Sequence, residues 1–362
     1  MPQTLIGLMS GTSLDGVDAV LVQFDPRIRL LQTEHMAYGA GLKKDLLALL
    51  HSGPNELHRS ALITNQITDL YAECIAKLLA RTNFTHTDIS AIGCHGQTVR
   101  HKPELGYSLQ LMNGARLAEA THIPVICDFR SRDIAAGGQG APLVPAFHRL
   151  VFGSHQEHRC IINIGGIANI TDLPIDEISA GFDCGPGNAL MDEWTQKHRG
   201  EDFDRDGHWA SQGKVLAPLL ETWLAHEFFH HPPPKSSGRD TFNLHWALQF
   251  CNGLEAAVDI QATLLELTVR SICQALESYC QGVKSIFICG GGARNKTLMH
   301  RLTQLCPLQK VQSTSALGID EQWVEALAFA WLALQNLNKR PANVAALTGA
   351  RGERILGAIY PA

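Results

Sequence analysis

The 362-residue sequence contains no run of Lys and Arg, and no apolar stretch approaching the roughly 20 residues that a bilayer-spanning helix needs. The first absence, with a formal net charge of −5, argues against a nucleic-acid partner, which requires a basic stripe. The second argues against a membrane partner. The opening MPQTLIGLMSGTS lacks a positive region ahead of its apolar residues, and Gly7, Ser10 and Gly11 interrupt them, so it does not read as a signal peptide. No two of the ten cysteines form a CxxC pair. Several lie in apolar or glycine-rich runs (AIGCHG, VICDF, RCIINIGG, IFICGGG), where a thiol behaves as a small core hydrophobe. Reduced structural thiols, no fixed protein metal site and a cytoplasmic location are the expectation. No glycine loop is followed by GKS or GKT, which excludes a Walker A loop.

What is present fits a globular chain large enough for two cores, with 45% hydrophobic and 18% charged residues. Apolar strands alternate with helical stretches, which predicts an α/β class with mixed sheets. Residues 4–9 and 17–24 read as a hairpin joined by SGTSLDG, with a third strand near 29–38 and helical periodicity over 41–51 and 57–80. Short strands follow at 89–96 and 123–129. A second round opens at 159–170 with RCIINIGGIANI, continues through helical stretches at 187–198, 213–229 and 257–281, and ends in SIFICGGG leading into a helix from Asn295. One plan used twice suggests domains over 1–130 and 131–362, with the C-terminal helices able to pack back on the first. The stretch HHPPPKSSGRD (230–240) reads as structureless, since its prolines must stop the preceding helix.

Three glycine-bearing junctions carry the first chemistry. In Ser10-Gly11-Thr12-Ser13-Leu14-Asp15-Gly16, and on into Val17 and Asp18, glycines let the backbone approach an anion, hydroxyls and amides can donate to it, and Asp15 could hold a Mg²⁺ ion through water. Asn163, Gly165 and Gly166 form a second strand-to-strand turn. Gly290, Gly291, Gly292 and Asn295 form a third, between a strand and a helix, suited to phosphates or a nucleotide ring. Taken singly, each is also an ordinary turn. Together they give the layout of two actin-like (ribonuclease H-like) ATPase domains, with mixed β-sheets flanked by helices and an interdomain active-site cleft.

The segments LIGLMSGTSLDGVDAVLV, GCHGQTVRH, VICDFRSRDIAAGGQGAPLVPAFH, INIGGIANIT, GFDCGPGNALMD, PPPKSSGRD and CGGGARN, in this order from residue 5 to about 295, resemble the successive signatures of the anhydro-N-acetylmuramic acid kinase family. The resemblance implies ATP and Mg²⁺ as cofactors and a sugar and water as reactants. Water opens a 1,6-anhydro ring while O6 takes the γ-phosphoryl group, a step of peptidoglycan recycling. It also implies that Asp183, in GFDCGPGN, is the catalytic aspartate that deprotonates water. Glu325, a lone carboxylate in the apolar QWVEALAFAWLAL, is a candidate for orienting that water. Arg130 and Arg132 suit a lactyl carboxylate, because guanidinium pairs with carboxylate bidentately, and His95 and Gln97 suit sugar hydroxyls or an acetamido group. A homodimer is one expectation for assembly. Another sugar or acid kinase of the same fold, or a non-catalytic actin-like ATPase module, stands as the alternative.

His226-Glu227-Phe228-Phe229-His230 fits the H-E-x-x-H zinc-protease pattern. His231 and three prolines follow at once, so the segment reads as a terminating helix end and not as a zinc site.

Overall fold

The computed structural model describes residues 3–25, 27–178, 180–239 and 241–362. Asp240, the last residue of PPPKSSGRD, lies outside them. The chain forms two units, Met1–Phe147 with Trp323–Ala362, and His148–Gln322.

In unit 1, β1 (Gln3–Ser10) and β2 (Gly16–Asp25) form an antiparallel pair whose residues are buried almost throughout. This is why the two read as continuous apolar runs instead of alternating ones. β3 (Arg27–Ala37) extends the pair antiparallel to β2. After α1 (Ala40–Leu49) and α2 (Glu56–Ala80), β4 (Ala91–Lys102) returns parallel to β1. β5 (Tyr107–Leu111) hairpins onto β4, and after α3 (Gly114–Thr121) β6 (Val125–Cys127) adds parallel to β4. Helix α2 buries Ile63, Ile67, Tyr71, Cys74, Ile75 and Leu78 at helical spacing. Leu62, on the same helix, is exposed.

Two short helices follow, α4 (Ser131–Ala135) and α5 (Pro145–Phe152), the second spanning the passage from unit 1 to unit 2. Unit 2 repeats the strand plan. β7 (Arg159–Ile164), β8 (Ile167–Leu173) and β9 (Ala180–Pro186) are antiparallel in sequence. The helices α6 (Ala189–Arg199), α7 (Ala217–Leu224), α8 (Glu227–His230), α9 (Leu244–Leu248) and α10 (Ala257–Tyr279) intervene before β10 (Ser285–Cys289), which lies parallel to β7. β11 (Lys310–Ser313), after α11 (Lys296–Leu305), pairs parallel to β10. The second sheet thus runs β11-β10-β7-β8-β9, matching β6-β4-β1-β2-β3 in order and direction. Asp183 lies on β9, not in a loop as its glycine- and proline-rich surroundings suggest, because a bulge between β8 and β9 lets the strand run through Gly185 and Pro186.

The predicted helix over 213–229 is two. Pro218 sits in the first turn of α7, and the chain breaks at His226, whose Nδ1 accepts the Phe228 amide at 3.2 Å and caps α8. The His226 ring packs against Phe242 and Trp246, both at 5.5 Å, so the H-E-x-x-H segment does not run on one helix. Residues 131–147 group with unit 1, beyond the 130/131 division drawn from sequence. The reason lies at Asp133, which is fully buried and accepts from Asn343 Nδ2 (2.7 Å), Thr348 Oγ1 (2.8 Å) and the Gly140 amide (2.8 Å). All ten cysteines are free thiols. Among the described residues, no helix is long and apolar enough to cross a membrane.

The C-terminal segment adds α12 (Val324–Leu337), a helix apolar on nearly every side and therefore buried, together with β12 (Ala358–Tyr360), which pairs antiparallel to β6. Helix α12 lies on β1 and β4 where Gly7 and Gly93 are register partners. A β-carbon on Gly7 would stand 1.9 Å from the Ala326 carbonyl oxygen, and one on Gly93 2.1 Å from that of Phe329.

Gly7→Ala should therefore destabilise unit 1 by about 1–3 kcal/mol or more, read as a lower urea midpoint at unchanged m-value. Gly41→Ala, inside α1 with no atom within 4 Å of the added methyl, should stabilise by about 0.5–1 kcal/mol. Equal effects at the two positions would show that close approach of α12 is not the constraint.

Candidate active site

In unit 1, the loop between β1 and β2 turns at Leu14, whose φ of 58° is left-handed and whose side chain is nonetheless buried, with its amide donating to Gly11 O at 3.3 Å. Beneath it runs a buried polar cluster. The hydroxyls of Tyr38 and Tyr71 donate to Ser10 Oγ at 2.9 and 2.8 Å, and Tyr38 also reaches Gln97 Oε1 at 3.3 Å. Gln97 Nε2 donates to Gly11 O at 3.0 Å. Burial pushes the Tyr38 phenol up to about 12, so it stays a donor. On the loop itself Asp15 and Thr12 are exposed, and Ser13 Oγ donates to Asp15 Oδ1 at 2.8 Å. Asp18 lies 2.8 Å from His35 Nδ1, and that hydrogen bond raises the His35 pKa.

His95 and Arg130 extend the same cluster. Arg130 donates through Nη1 to Gly140 O at 2.7 Å and through Nη2 to His95 Nε2 at 2.8 Å. A guanidinium only donates, so Nε2 carries the lone pair and Nδ1 the proton, which points to Ser10 O at 3.3 Å. Burial, followed by the Arg130 charge, pushes His95 down to about 3 and keeps it neutral. His95 and Gln97 thus spend polar atoms on the loop's footing. Arg132 is exposed on α4, and Glu325 is half-buried in the first turn of α12.

In unit 2 three chain segments interlock at the ends of the strands. The amides of Gly187 and Asn188 donate to the carbonyls of Gly166 (2.9 Å) and Gly165 (2.7 Å), and Asn188 Nδ2 donates to Ile164 O at 3.0 Å. A β-carbon on Gly187 would stand 2.2 Å from Gly165 O. One on Gly290, at φ 77°, would stand 2.4 Å from Asn163 Oδ1, and one on Gly292 2.3 Å from Ile164 Cγ2. These glycines are required by backbone packing. Gly11 and Gly165 differ, because nothing lies nearer than 3.4 Å and 3.8 Å to their added β-carbons, leaving room for a ligand to approach the backbone of both hairpin loops. Asn295 caps α11, its Oδ1 accepting the Leu298 amide at 3.0 Å.

Asp183 is half-buried, faces Asn169 across the β8–β9 pair, and accepts the Ser237 amide on Oδ2 at 2.8 Å. Its own amide donates to Lys235 O at 3.1 Å. The segment expected to be structureless is therefore laid along β9. Its anchor is Lys235, buried over the Phe228 ring at 4.8 Å with its ammonium donating to Phe228 O at 3.0 Å. Burial lowers the Lys235 pKa, against which Asp183 acts. The sequence reading gave no role to Tyr38, Tyr71, Asn188, Lys235 or Ser237. The only signal for them was a polar or hydroxylated residue inside an otherwise apolar or proline-stopped stretch.

Two mixed sheets of one strand order, each opening on a glycine-bearing hairpin loop with room at its backbone, define a duplicated α/β fold. The family model for anhydro-N-acetylmuramic acid kinase matches residues 3–362, and the chain belongs to that family of kinases. It is 54% identical to the anhydro-N-acetylmuramic acid kinase of Nitrosomonas europaea, with 99% of each chain covered. It is 51% identical to that of Nitrosospira multiformis, with 99% and 98% covered. Among solved structures it is similar to the activator of the 2-hydroxyisocaproyl-CoA dehydratase from Clostridium difficile with bound ADPNP, at a TM-score of 0.48 and 14% identity, covering 93% and 96%.

Neutral, buried histidines set a pH dependence. His95 in unit 1 and His148 in unit 2, the latter 2.9 Å from Thr171 Oγ1, are both pushed down from 6.5 to about 3, chiefly by burial. Between these pH values the unfolded chain holds the protons and the folded one does not, so stability rises with pH across the window and is lost as pH falls. His95→Gln should make the stability–pH slope shallower by about one proton between pH 3 and 6.5. An unchanged slope in urea titrations across that range would refute the neutral assignment.

Proposed function

We propose that the chain opens the 1,6-anhydro ring of 1,6-anhydro-N-acetylmuramic acid with water and phosphorylates O6 from ATP. The products are N-acetylmuramic acid 6-phosphate and ADP, in cell-wall recycling in the cytoplasm. The observation that carries this reading is Asp183, a carboxylate held at one oxygen by the Ser237 amide and backed by a buried lysine, in a chain matched to the family from residue 3 to 362.

Bound ATP with Mg²⁺ supplies the phosphoryl group and neutralises its charge. The residues proposed to hold it are the amides and hydroxyls of Gly11, Thr12, Ser13, Leu14, Gly16 and Val17, with Asp15 and Asp18 beside the metal. In unit 2 they are Asn163, Gly165 and Gly166, and Gly290, Gly291, Gly292 and Asn295. Open space at Gly11 and Gly165 supports this assignment, because backbone donors reach a phosphate only where no side chain intervenes. Asp183 takes the proton from water, since the accepting oxygen of an anhydro-sugar is still bonded to the anomeric carbon and has none to give. The Ser237 amide fixes one oxygen of the carboxylate. Glu325 is the proposed second carboxylate of the reaction.

For the lactyl carboxylate, the geometry favours Arg132. Arg130 already spends both terminal nitrogens on His95 and Gly140, whereas Arg132 is exposed. His95 and Gln97 serve by fixing the Ser10–Gly11 backbone, and sugar contact is assigned to groups outside that footing.

Asp183→Asn retains an oxygen for the Ser237 amide, so ATP and sugar should still bind while turnover falls about 10²–10⁴-fold. In heavy-oxygen water the label should enter the anomeric hydroxyl and leave the phosphoryl group unlabelled. Label in the phosphoryl group, or a variant within a few-fold of wild type, would place the chemistry elsewhere.

Arg132→Ala should cut kcat/KM for the muramic substrate on the order of 10- to 100-fold and leave the rate on 1,6-anhydro-N-acetylglucosamine, which lacks the lactyl group, unchanged. Equal losses on both sugars would assign Arg132 a structural role.

A further inference from the structure

Cys160 and Asp172 are direct cross-strand partners at the start of β7 and the end of β8, so their side chains stand on one face of the sheet. Cys280, the residue that ends α10, comes down on the same face. Cys160 Sγ, Cys280 Sγ and a carboxylate oxygen of Asp172 all lie within 4.8 Å of one another, in residues 0%, 3% and 3% exposed. His158, two residues before Cys160, places Nε2 2.6 Å from Asp172 Oδ1.

Two sulfurs, a carboxylate and an imidazole are a costly set to bury for packing alone. Thiols are weak hydrogen-bond donors, and a carboxylate loses several kcal/mol of hydration unless strong partners replace it. A second close sulfur pair, Cys273 and Cys306 at 3.7 Å, serves as the contrast: neither residue belongs to a metal-competent group among the described residues. Soft sulfur ligands select zinc over magnesium or calcium, and ligating carboxylates are held from outside by a second group, the place His158 occupies here.

We propose that Cys160, Cys280 and Asp172 bind a divalent cation of the zinc class, with His158 holding the carboxylate from outside and one enclosed water completing the coordination. On binding, each thiol releases its proton to solvent, two sulfur–metal bonds form, and no electron changes owner. The site lies at the start of β7, away from the Asn163–Gly166 turn that follows the strand's other end. Its effect is to tie β7 and β8 to the end of α10, stabilising the folded unit because the unfolded chain does not assemble the ligands.

The test uses the untagged, full-length protein, purified under reduction in metal-free buffer and titrated with Zn²⁺ and with Co²⁺. About one equivalent should bind, Co²⁺ should give a near-ultraviolet thiolate charge-transfer band, and zinc should raise the thermal midpoint. Cys280→Ser should remove the band and weaken zinc binding at least about 100-fold, and His158→Ala should weaken it about 10–100-fold. Cys306→Ser should leave both unchanged. The wild-type Co²⁺ titration needs no variant to fold. Absence of the thiolate band there, zinc binding unaltered in Cys280→Ser, or Cys160 and Cys280 found joined as a disulfide by non-reducing mass spectrometry would each overturn the proposal.

Discussion

At Gly7 and Gly93 the carbonyl oxygens of α12 occupy the space a β-carbon would fill, and at Gly187, Gly290 and Gly292 the backbone or side chains of neighbouring loops do the same. Close approach at glycine, by backbone or by side chain, is thus the constraint common to both units. In unit 1 it lets a helix from the C-terminal segment lie directly on β1 and β4, which fixes the strand end from which the Ser10–Gly16 loop departs. In unit 2 amide-to-carbonyl bonds from Gly187 and Asn188 join the turns after β7 and β9, and Gly290 and Gly292 let the turn after β10 close on Asn163 and Ile164 of β7. Rigid loops of this kind suit phosphate recognition, because donors already in place lose no ordering entropy when a ligand arrives.

Several polar groups buried in the two units complete networks. Ser10 collects two tyrosine hydroxyls, His95 passes the geometry of Arg130 on to the Ser10 carbonyl, and Asp133 collects Asn343, Thr348 and an amide. Each removes a desolvation cost that would otherwise count against folding. The same logic applies at Asp183, where Lys235 sits on aromatic faces and its loop delivers one amide to the carboxylate. The Ser237 amide holds one oxygen of that carboxylate, and the same bond ties down a proline-rich stretch that propensity alone leaves without structure.

Membership of the kinase family gives these networks their meaning, yet the family match says nothing of the buried cluster at Cys160. From sequence, cysteines inside apolar runs read as core hydrophobes, and for most of the ten that description holds in the structure as well. Cys160 and Cys280 lie in that core too, and β-sheet register brings Asp172 beside them, a juxtaposition of residues distant in sequence.

The sequence by itself determined the alternation of strands and helices, the repeated plan, and the three glycine junctions, because hydrophobic periodicity and turn chemistry are local properties. It also sufficed for the motifs that place the chain in its family. Only the tertiary structure decided which glycines are demanded by packing and which leave room for a ligand, since that depends on what lies above each one. The same holds for the footing role of His95 and Gln97, the strand position of Asp183, and the attachment of residues 131–147 to unit 1 through Asp133. Each is settled by a partner between seven and more than two hundred residues away, and separations of that kind leave no periodic trace along the chain.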